Sequence, residues 1–423
     1  MQKVLIISYF FPPCPLTGAN RVGSWLKYLP QHGVYPIVLT RNWDGSEIEE
    51  SDRLKDSGTS VRHLVNSDSE IYYTPYKSIL RDKIFIKGDK NRFFKILSKA
   101  LTFIGLILQN LSIQCIAYRN MYSLARVLLK ENKDIRTLVV SANPFEQFFM
   151  GYLLKKEFKD LEWIADYRDD WTTNPLYNIS LNSRLFKRYN QLFEKKWIAN
   201  ASKVTTVTEL YKSRLSKLHQ RECLLLMNGY NEELNDIKAI KNSDIFQITY
   251  SGTIYPHQDF TSLISILQQI AVEEPIKRVK LTFLGSRYFT TAKQKELLSS
   301  STKENFEIEL TDRVSWKKGI AFAKGSDVLL IGSYGDLKGV IPSKIFEYIA
   351  MDVPIVCYPS DRDIIDEILK KTGTALICNS ETACYEAFKS IIKDNYSYNP
   401  NRNEIIKFSA NKQVSNLAKI LME

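Results

Sequence analysis

What this chain lacks narrows what it can be. None of its six cysteines (Cys14, Cys115, Cys223, Cys357, Cys378, Cys384) has the close pairing of a metal site. Most lie in strand-like or helical runs, where a thiol behaves as a small apolar group, and a reducing cytoplasm fits that usage. No stretch is low-complexity. The opening MQKVLIISYFF has no cleavage-site pattern, so it reads as a first buried strand rather than a signal peptide, and export by that route is not expected. The most apolar later segment, ALTFIGLILQNLSI (100–113), is shorter than the roughly 18–20 residues of a spanning helix and is not expected to cross a bilayer. Zinc spacing, an RNP-type aromatic motif and a compact basic recognition helix are missing too, which ranks nucleic-acid binding last.

What is present describes a two-domain globular protein. A chain of 423 residues is too long for one ordinary core. Its 44% hydrophobic and 12% aromatic shares are enough to fill two cores. Lys and Arg exceed Asp and Glu by 58 to 47, a formal charge of +11 that draws anionic partners such as nucleotides or acidic lipid. Charge alone does not choose among them.

Short runs rich in β-branched residues recur at 3–8, 36–40, 137–142, 162–166, 203–208, 246–252, 280–285, 327–332, 354–358 and 375–378. Helical patterns lie between most of them, as in 22–29, where Val22, Trp25, Leu26 and Leu29 share one face. This alternation predicts an α/β chain with parallel sheets in two Rossmann-like domains. The polar stretch 226–245 suits the connection, giving domains of 1–235 and 236–423 and allowing the last helix to pack back on the first. Such sheets bind ligands beyond the carboxyl ends of their strands, and two facing sheets would make a cleft.

The unusual residues do follow strands: SYFFPPCPLTGANR after the first, NPF (143–145), DYRDDW (166–171), GTIYPHQD (252–259) and GVIPSKIFE (339–347). Loops are polar in any protein, which explains Gly, Pro and Asn there but not the repeated Arg and Asp of DYRDD. The region 83–129 breaks the alternation with apolar and aromatic residues flanked by Lys and Arg. It reads either as a basic amphipathic insertion able to lie in a lipid headgroup layer or as a helix pair packed on the first domain's core.

In IPSKIFEYIAM, Ile345, Phe346 and Ile349 form an apolar stripe, while Ser343, Lys344 and Glu347 cluster on one rim. Pro342 is placed to begin a helix. Unpaired first-turn amides, the Ser343 hydroxyl and the Lys344 ammonium could hold a diphosphate. One turn deeper, the Glu347 carboxylate could accept from two ribose hydroxyls. An acid complementing the helix dipole is the plainer alternative.

YSGTIYPHQDFTSLISIL, NGY (228–230), GVIPSKIFEYIAMDVPIV and SYFFPP…GANR together resemble a glycosyltransferase of the GT-B fold, family 4, over nearly the whole chain. WIADYRDDW is similar to a segment of members that build bacterial surface polysaccharides. The resemblance implies sugar transfer from a nucleoside-diphosphate sugar to a glycan or polyprenyl-linked acceptor, with retention and no metal ion; no cofactor is expected, and the chain is expected to be cytoplasmic, meeting the inner face of the cytoplasmic membrane only if 83–129 is the lipid-binding insertion. By position it implies Gly18, Gly252, Thr253, Ser343 and Lys344 at the donor phosphates, Glu347 at the ribose, and Gly285, Arg313 and Val314 at the base. Arg21, Arg168, Asp169 and Asn143 would serve the donor sugar and acceptor, with Lys344, Arg168 and Asp169 as the catalytic set.

Two departures stand out. Many relatives carry a glutamate eight positions before the ribose-binding one, where this chain has Gly339. Their phosphate-binding Arg and Lys correspond to Thr253 and Gln258, so Lys344 would carry more of the load, helped by Arg287 or His257. Rival readings are a sugar-nucleotide epimerase of the same architecture and a noncatalytic sugar-nucleotide-binding subunit.

Overall fold

The computed structural model describes residues 1–423 other than 47–49, 89–91, 175–183, 256–257, 275–277, 288–289 and 335–337. His257 therefore lies outside the described residues. The chain divides into two compact units, the first Met1–Met227 with Gln413–Glu423 and the second Asn228–Lys412.

The first unit is built on eight strands: β1 (Gln2–Ser8), β2 (Val34–Arg41), β3 (Arg62–Val65), β4 (Glu70–Thr74), β5 (Thr137–Ala142), β6 (Glu162–Tyr167), β7 (Lys203–Thr206) and β8 (Leu224–Leu225). They lie in the order β3-β4-β2-β1-β5-β6-β7-β8, parallel except for the β3–β4 pair. Leu5, Ile7, Leu138, Val140 and Trp163 are fully buried because the central strands are covered on both faces. The helices are α1 (Gly18–Tyr28), α2 (Leu80–Gly88), α3 (Arg92–Leu111), α4 (Asn120–Glu131), α5 (Gln147–Glu157), α6 (Arg184–Ile198) and α7 (Glu209–His219).

The second unit has six parallel strands: β9 (Ile245–Ser251), β10 (Arg278–Leu284), β11 (Phe306–Leu310), β12 (Val328–Ile331), β13 (Ile355–Cys357) and β14 (Ala375–Ile377). Their order is β11-β10-β9-β12-β13-β14. Its helices are α8 (Thr261–Glu273), α9 (Ala292–Ser300), α10 (Trp316–Lys324), α11 (Ser343–Tyr348), α12 (Ile364–Thr372) and α13 (Glu381–Ile392). A last helix, α14 (Ala410–Met422), runs into the first unit, where the Leu421 carbonyl accepts from Gln2 Nε2 and the Ile420 carbonyl from Lys203 Nζ.

Both sheets reverse direction of growth once: between β1 and β5 in the first unit, and between β9 and β12 in the second. At such a switch point neighbouring loops diverge at the carboxyl edge and leave room for a ligand.

The stretch 83–129 is not one amphipathic insertion. Helix α4 turns Met121, Ala125, Leu128 and Leu129 into the core as an ordinary layer helix, whereas α3 does not enter it. The apolar run expected to be short is also longer than read, because Phe93, Phe94, Ile96 and Leu97 extend it toward the amino terminus of α3. Among the described helices, Phe93–Leu111 is long and apolar enough to span a membrane by length and composition alone.

Candidate functional site

In the second unit the switch point collects the residues of two loops. After β9, Gly252 takes a φ of 88°, a left-handed backbone that glycine adopts without strain, and its amide donates to the Leu284 carbonyl at 2.8 Å. After β12 comes α11, with Pro342 extended ahead of its first turn. This helix has only six residues, so its dipole is a minor contributor and the side chains decide.

Lys344 leaves α11 toward the sheet. Its Nζ lies 3.3 Å from the centroid of the Tyr250 ring and is buried with no hydrogen-bond partner among the described residues. Burial holds the ammonium's pKa well below the ordinary lysine value. Tyr250 is fixed from behind, its hydroxyl oxygen lying 3.0 Å from Gln258 Oε1 and 3.2 Å from the Thr253 carbonyl, two acceptors between which its one O–H is shared. Gln258 Oε1 also accepts from the Tyr255 amide at 3.0 Å, so Thr253 and Gln258 brace a loop and a ring.

One turn along α11, Glu347 Oε1 accepts from Trp316 Nε1 at 2.7 Å. Burial raises the carboxyl's pKa, and the indole hydrogen bond opposes that rise. Trp316 opens α10, so the helix after Arg313 and Val314 reaches the same spot. Gly285, with φ 74°, stands beside Arg313: a Cβ built on it would meet the Arg313 backbone at 3.9 Å. Gly285, Arg313, Val314, Trp316 and Glu347 thus form one group, with Ser343 exposed at its margin.

One expected helper does not join it. Arg287 is exposed and committed to Asp312 at 2.8 Å and to the Leu310 carbonyl, which takes it out of the Lys344 group. Gly339 adopts φ 75°, a left-handed backbone that favours glycine, and donates its amide to Asp363 Oδ2.

In the first unit the end of β6 and the loop after it carry three aspartates with three different fates. Asp166 is fully buried and accepts from Arg21 Nε at 2.9 Å, Arg21 Nη2 at 2.7 Å, Ser141 Oγ at 2.7 Å and Thr205 Oγ1 at 2.7 Å. Those four bonds fill a carboxylate's capacity. Arg21 also donates to the Leu226 and Met227 carbonyls. Its guanidinium was expected at the acceptor, but it is consumed as a brace beneath the loop.

Asp170 is buried against Arg214 at 3.1 Å, and burial raises its pKa. Asp169 is exposed, with Arg168 Nη2 at 3.5 Å. Arg168 lies over the Phe10 ring at 4.9 Å and against Gly18, where an added Cβ would collide with the guanidinium. Gly18 therefore meets Arg168 directly. The Arg168 amide donates to the Ala142 carbonyl at 3.0 Å, which places Asn143 beside the same loop.

The loop's far end is anchored by a buried cluster. Glu194 accepts from the Thr172 hydroxyl, while the Tyr167 hydroxyl stands 3.0 Å from Glu194 Oε1 and 3.2 Å from His219 Nε2. Burial raises the Glu194 carboxyl to about 7 and lowers the His219 imidazole to about 4. Trp316, Tyr250, Glu194 and His219 carried no signal in the sequence, since each reaches its partners only through long-range folding.

No protein-family model and no curated protein matches the sequence. Solved structures do match. The chain is similar to a sucrose-phosphate synthase from Thermosynechococcus elongatus, with TM-score 0.65, 12% identity and coverage of 100% of this chain and 98% of that one. It is similar to a glycosyltransferase from Rickettsia africae, with TM-score 0.59, 15% identity and coverage of 99% and 97%. A UDP-GlcNAc 2-epimerase from Methanocaldococcus jannaschii matches at TM-score 0.50, 14% identity and coverage of 99% and 99%. At these identities the likeness is one of fold, and that fold is GT-B.

Proposed function

We propose that this protein transfers a sugar from a nucleoside-diphosphate sugar to a glycan or polyprenyl-linked acceptor in cell-surface polysaccharide synthesis. The observation that carries the reading is Lys344: a buried ammonium, without a hydrogen-bond partner among the described residues, at the switch point of the second sheet, three residues before a carboxylate oriented by an indole. Burying a charge without a counter-charge is costly, so such a group is kept where an anion arrives to meet it. A diphosphate meets it, and the ribose hydroxyls meet Glu347. The base lies at Gly285, Arg313 and Val314, with Gly252, Thr253 and Ser343 at the phosphates.

In this reading the reaction needs no metal ion and retains the anomeric configuration. The C1–O bond to the diphosphate breaks through a loose, oxocarbenium-like transition state. The departing oxygen then takes the acceptor's proton on the same face. Lys344 stabilises the charge developing on the leaving group. Arg168 and Asp169, the cation and the exposed carboxylate of the β6 loop, serve the acceptor side with Asn143 beside them, and Arg21 holds that loop from below.

An epimerase is the second reading, favoured by the similarity to the Methanocaldococcus protein. Ligand-detected NMR with UDP-, GDP- and dTDP-sugars, read with slow donor hydrolysis, separates the two. A transferase binds one donor class and hydrolyses it slowly until an acceptor is supplied; an epimerase converts the sugar with no acceptor. Binding of no sugar nucleotide contradicts both.

A further inference from the structure

Helix α3 carries an apolar stripe with no core to enter. Phe93, Ile96, Phe103, Ile104, Leu108 and Leu111 recur at helical spacing, and each is 43–66% exposed. A stripe of this kind ordinarily faces a protein interior. Here only 11% of the Phe93–Leu111 window is buried.

The helix is fastened to α6 along one edge of that stripe. Asn110 Nδ2 donates to Asn190 Oδ1 at 2.7 Å, the Tyr189 hydroxyl donates to the Ile107 carbonyl at 2.8 Å, and the Phe103 and Phe186 rings lie 5.4 Å apart. All three partners sit on α6, which leaves Leu185 and Leu192, one heptad apart, exposed as well.

The charge around this surface has one sign. Lys83, Lys87, Lys95, Lys99, Arg188 and Lys195 are exposed on α2, α3 and α6. Among the described residues of these helices the acids are Asp82 and Glu194, both fully buried and bonded inside the unit. A second copy applied to this face would therefore set cation against cation. A bilayer span would draw Lys95, Lys99 and the α6 hydrogen bonds into hydrocarbon. A surface of anionic lipid accepts the apolar stripe and attracts the rim.

We propose that α3, flanked by α2 and α6, is an in-plane docking surface for a bilayer containing anionic lipid. The segment leaves the sheet at the carboxyl end of β4, where the Tyr76 hydroxyl donates to Asp82 at 2.9 Å. Arg168 and Asp169 follow the carboxyl end of β6, and β4 and β6 run the same way through the sheet. Docking thus holds the Arg168–Asp169 edge of the unit toward the headgroups, where a lipid-borne acceptor is presented. That consequence rests on the function proposed above, whereas the docking itself does not.

The test is co-sedimentation of the full chain with vesicles of phosphatidylcholine, alone or mixed with phosphatidylglycerol. Binding to the mixed vesicles, weakened by salt, is expected. The pair Lys95→Gln and Lys99→Gln lowers partitioning about 25-fold, at about fivefold per cation. The pair Ile104→Glu and Leu108→Glu abolishes it. Both pairs keep the wild-type melting temperature and donor binding. Four results overturn the proposal: equal binding to neutral vesicles, unchanged binding by the variants, resistance to alkaline carbonate extraction as for a spanning helix, or a dimer that the glutamate pair dissolves. If docking fails while donor binding persists, only this inference falls; if docking holds without donor binding, only the transferase reading does.

Discussion

The Lys344 ammonium rests on the face of Tyr250, 3.3 Å from the ring centroid, with no hydrogen-bond acceptor among the described residues. A desolvated cation–π contact is worth about 2 kcal/mol. The penalty of taking an ammonium out of water is several kcal/mol, so the ring only partly offsets it. The remainder is available to whatever anion binds there.

Replacing Lys344 with methionine keeps the volume and removes that uncompensated charge. Turnover is expected to fall about 100–1000-fold, as when one charge-stabilising donor is lost, while the ligand-free melting temperature holds or rises. The pH dependence has a definite sign. Because the folded-state pKa is depressed, the unfolded chain binds the extra proton between the two values, so wild-type stability rises with pH through that window. Lys344→Met abolishes this rise, as calorimetry across alkaline pH would show.

Trp316→Phe tests whether the indole positions Glu347. Losing a hydrogen bond to a charged group should weaken donor binding about tenfold or more. Combined with Glu347→Gln, the double variant should bind little worse than the worse single one. Additive losses, measured by titration calorimetry, would mean that the two residues act separately.

The sheets were readable in the sequence because buried parallel strands are continuous β-branched runs. Four of the described strands escaped: β11 alternates Phe306, Ile308 and Leu310 with glutamates, β3 is a short exposed edge, β4 opens on Glu70 and carries two tyrosines, and β8 is only two residues long. Lys344 and Glu347 were legible from local spacing on one helix. Arg21 was misread because local sequence cannot reveal that Asp166, 145 residues away, captures it. Tyr250 and Trp316 were invisible for the same reason.

Gly18→Ala tests the close approach of α1 to Arg168. The added methyl must displace the guanidinium, so transfer should fall as far as in Arg168→Ala, and the double variant should be no worse. Donor binding in the second unit should stay intact. Full activity in Gly18→Ala, assayed with a matched donor and acceptor, would remove Arg168 from the mechanism.

Glu194 and His219 oppose each other in acid. A carboxyl raised to about 7 loses stability as pH climbs from its unfolded value toward 7, whereas an imidazole lowered to about 4 gains stability as pH climbs from 4 toward its unfolded value. The contributions of these two groups therefore nearly cancel between those limits. Glu194→Gln should expose the rising branch and His219→Gln the falling one, each by about 3 kcal/mol. Parallel curves for all three proteins would contradict the assignment.

The most direct test of the central claim is the melting temperature of wild type and Lys344→Met with UDP, GDP and dTDP. The account predicts that one of these nucleotides stabilises the wild type in a concentration-dependent way and leaves the variant unmoved. Equal stabilisation of both proteins, or of neither, would contradict it.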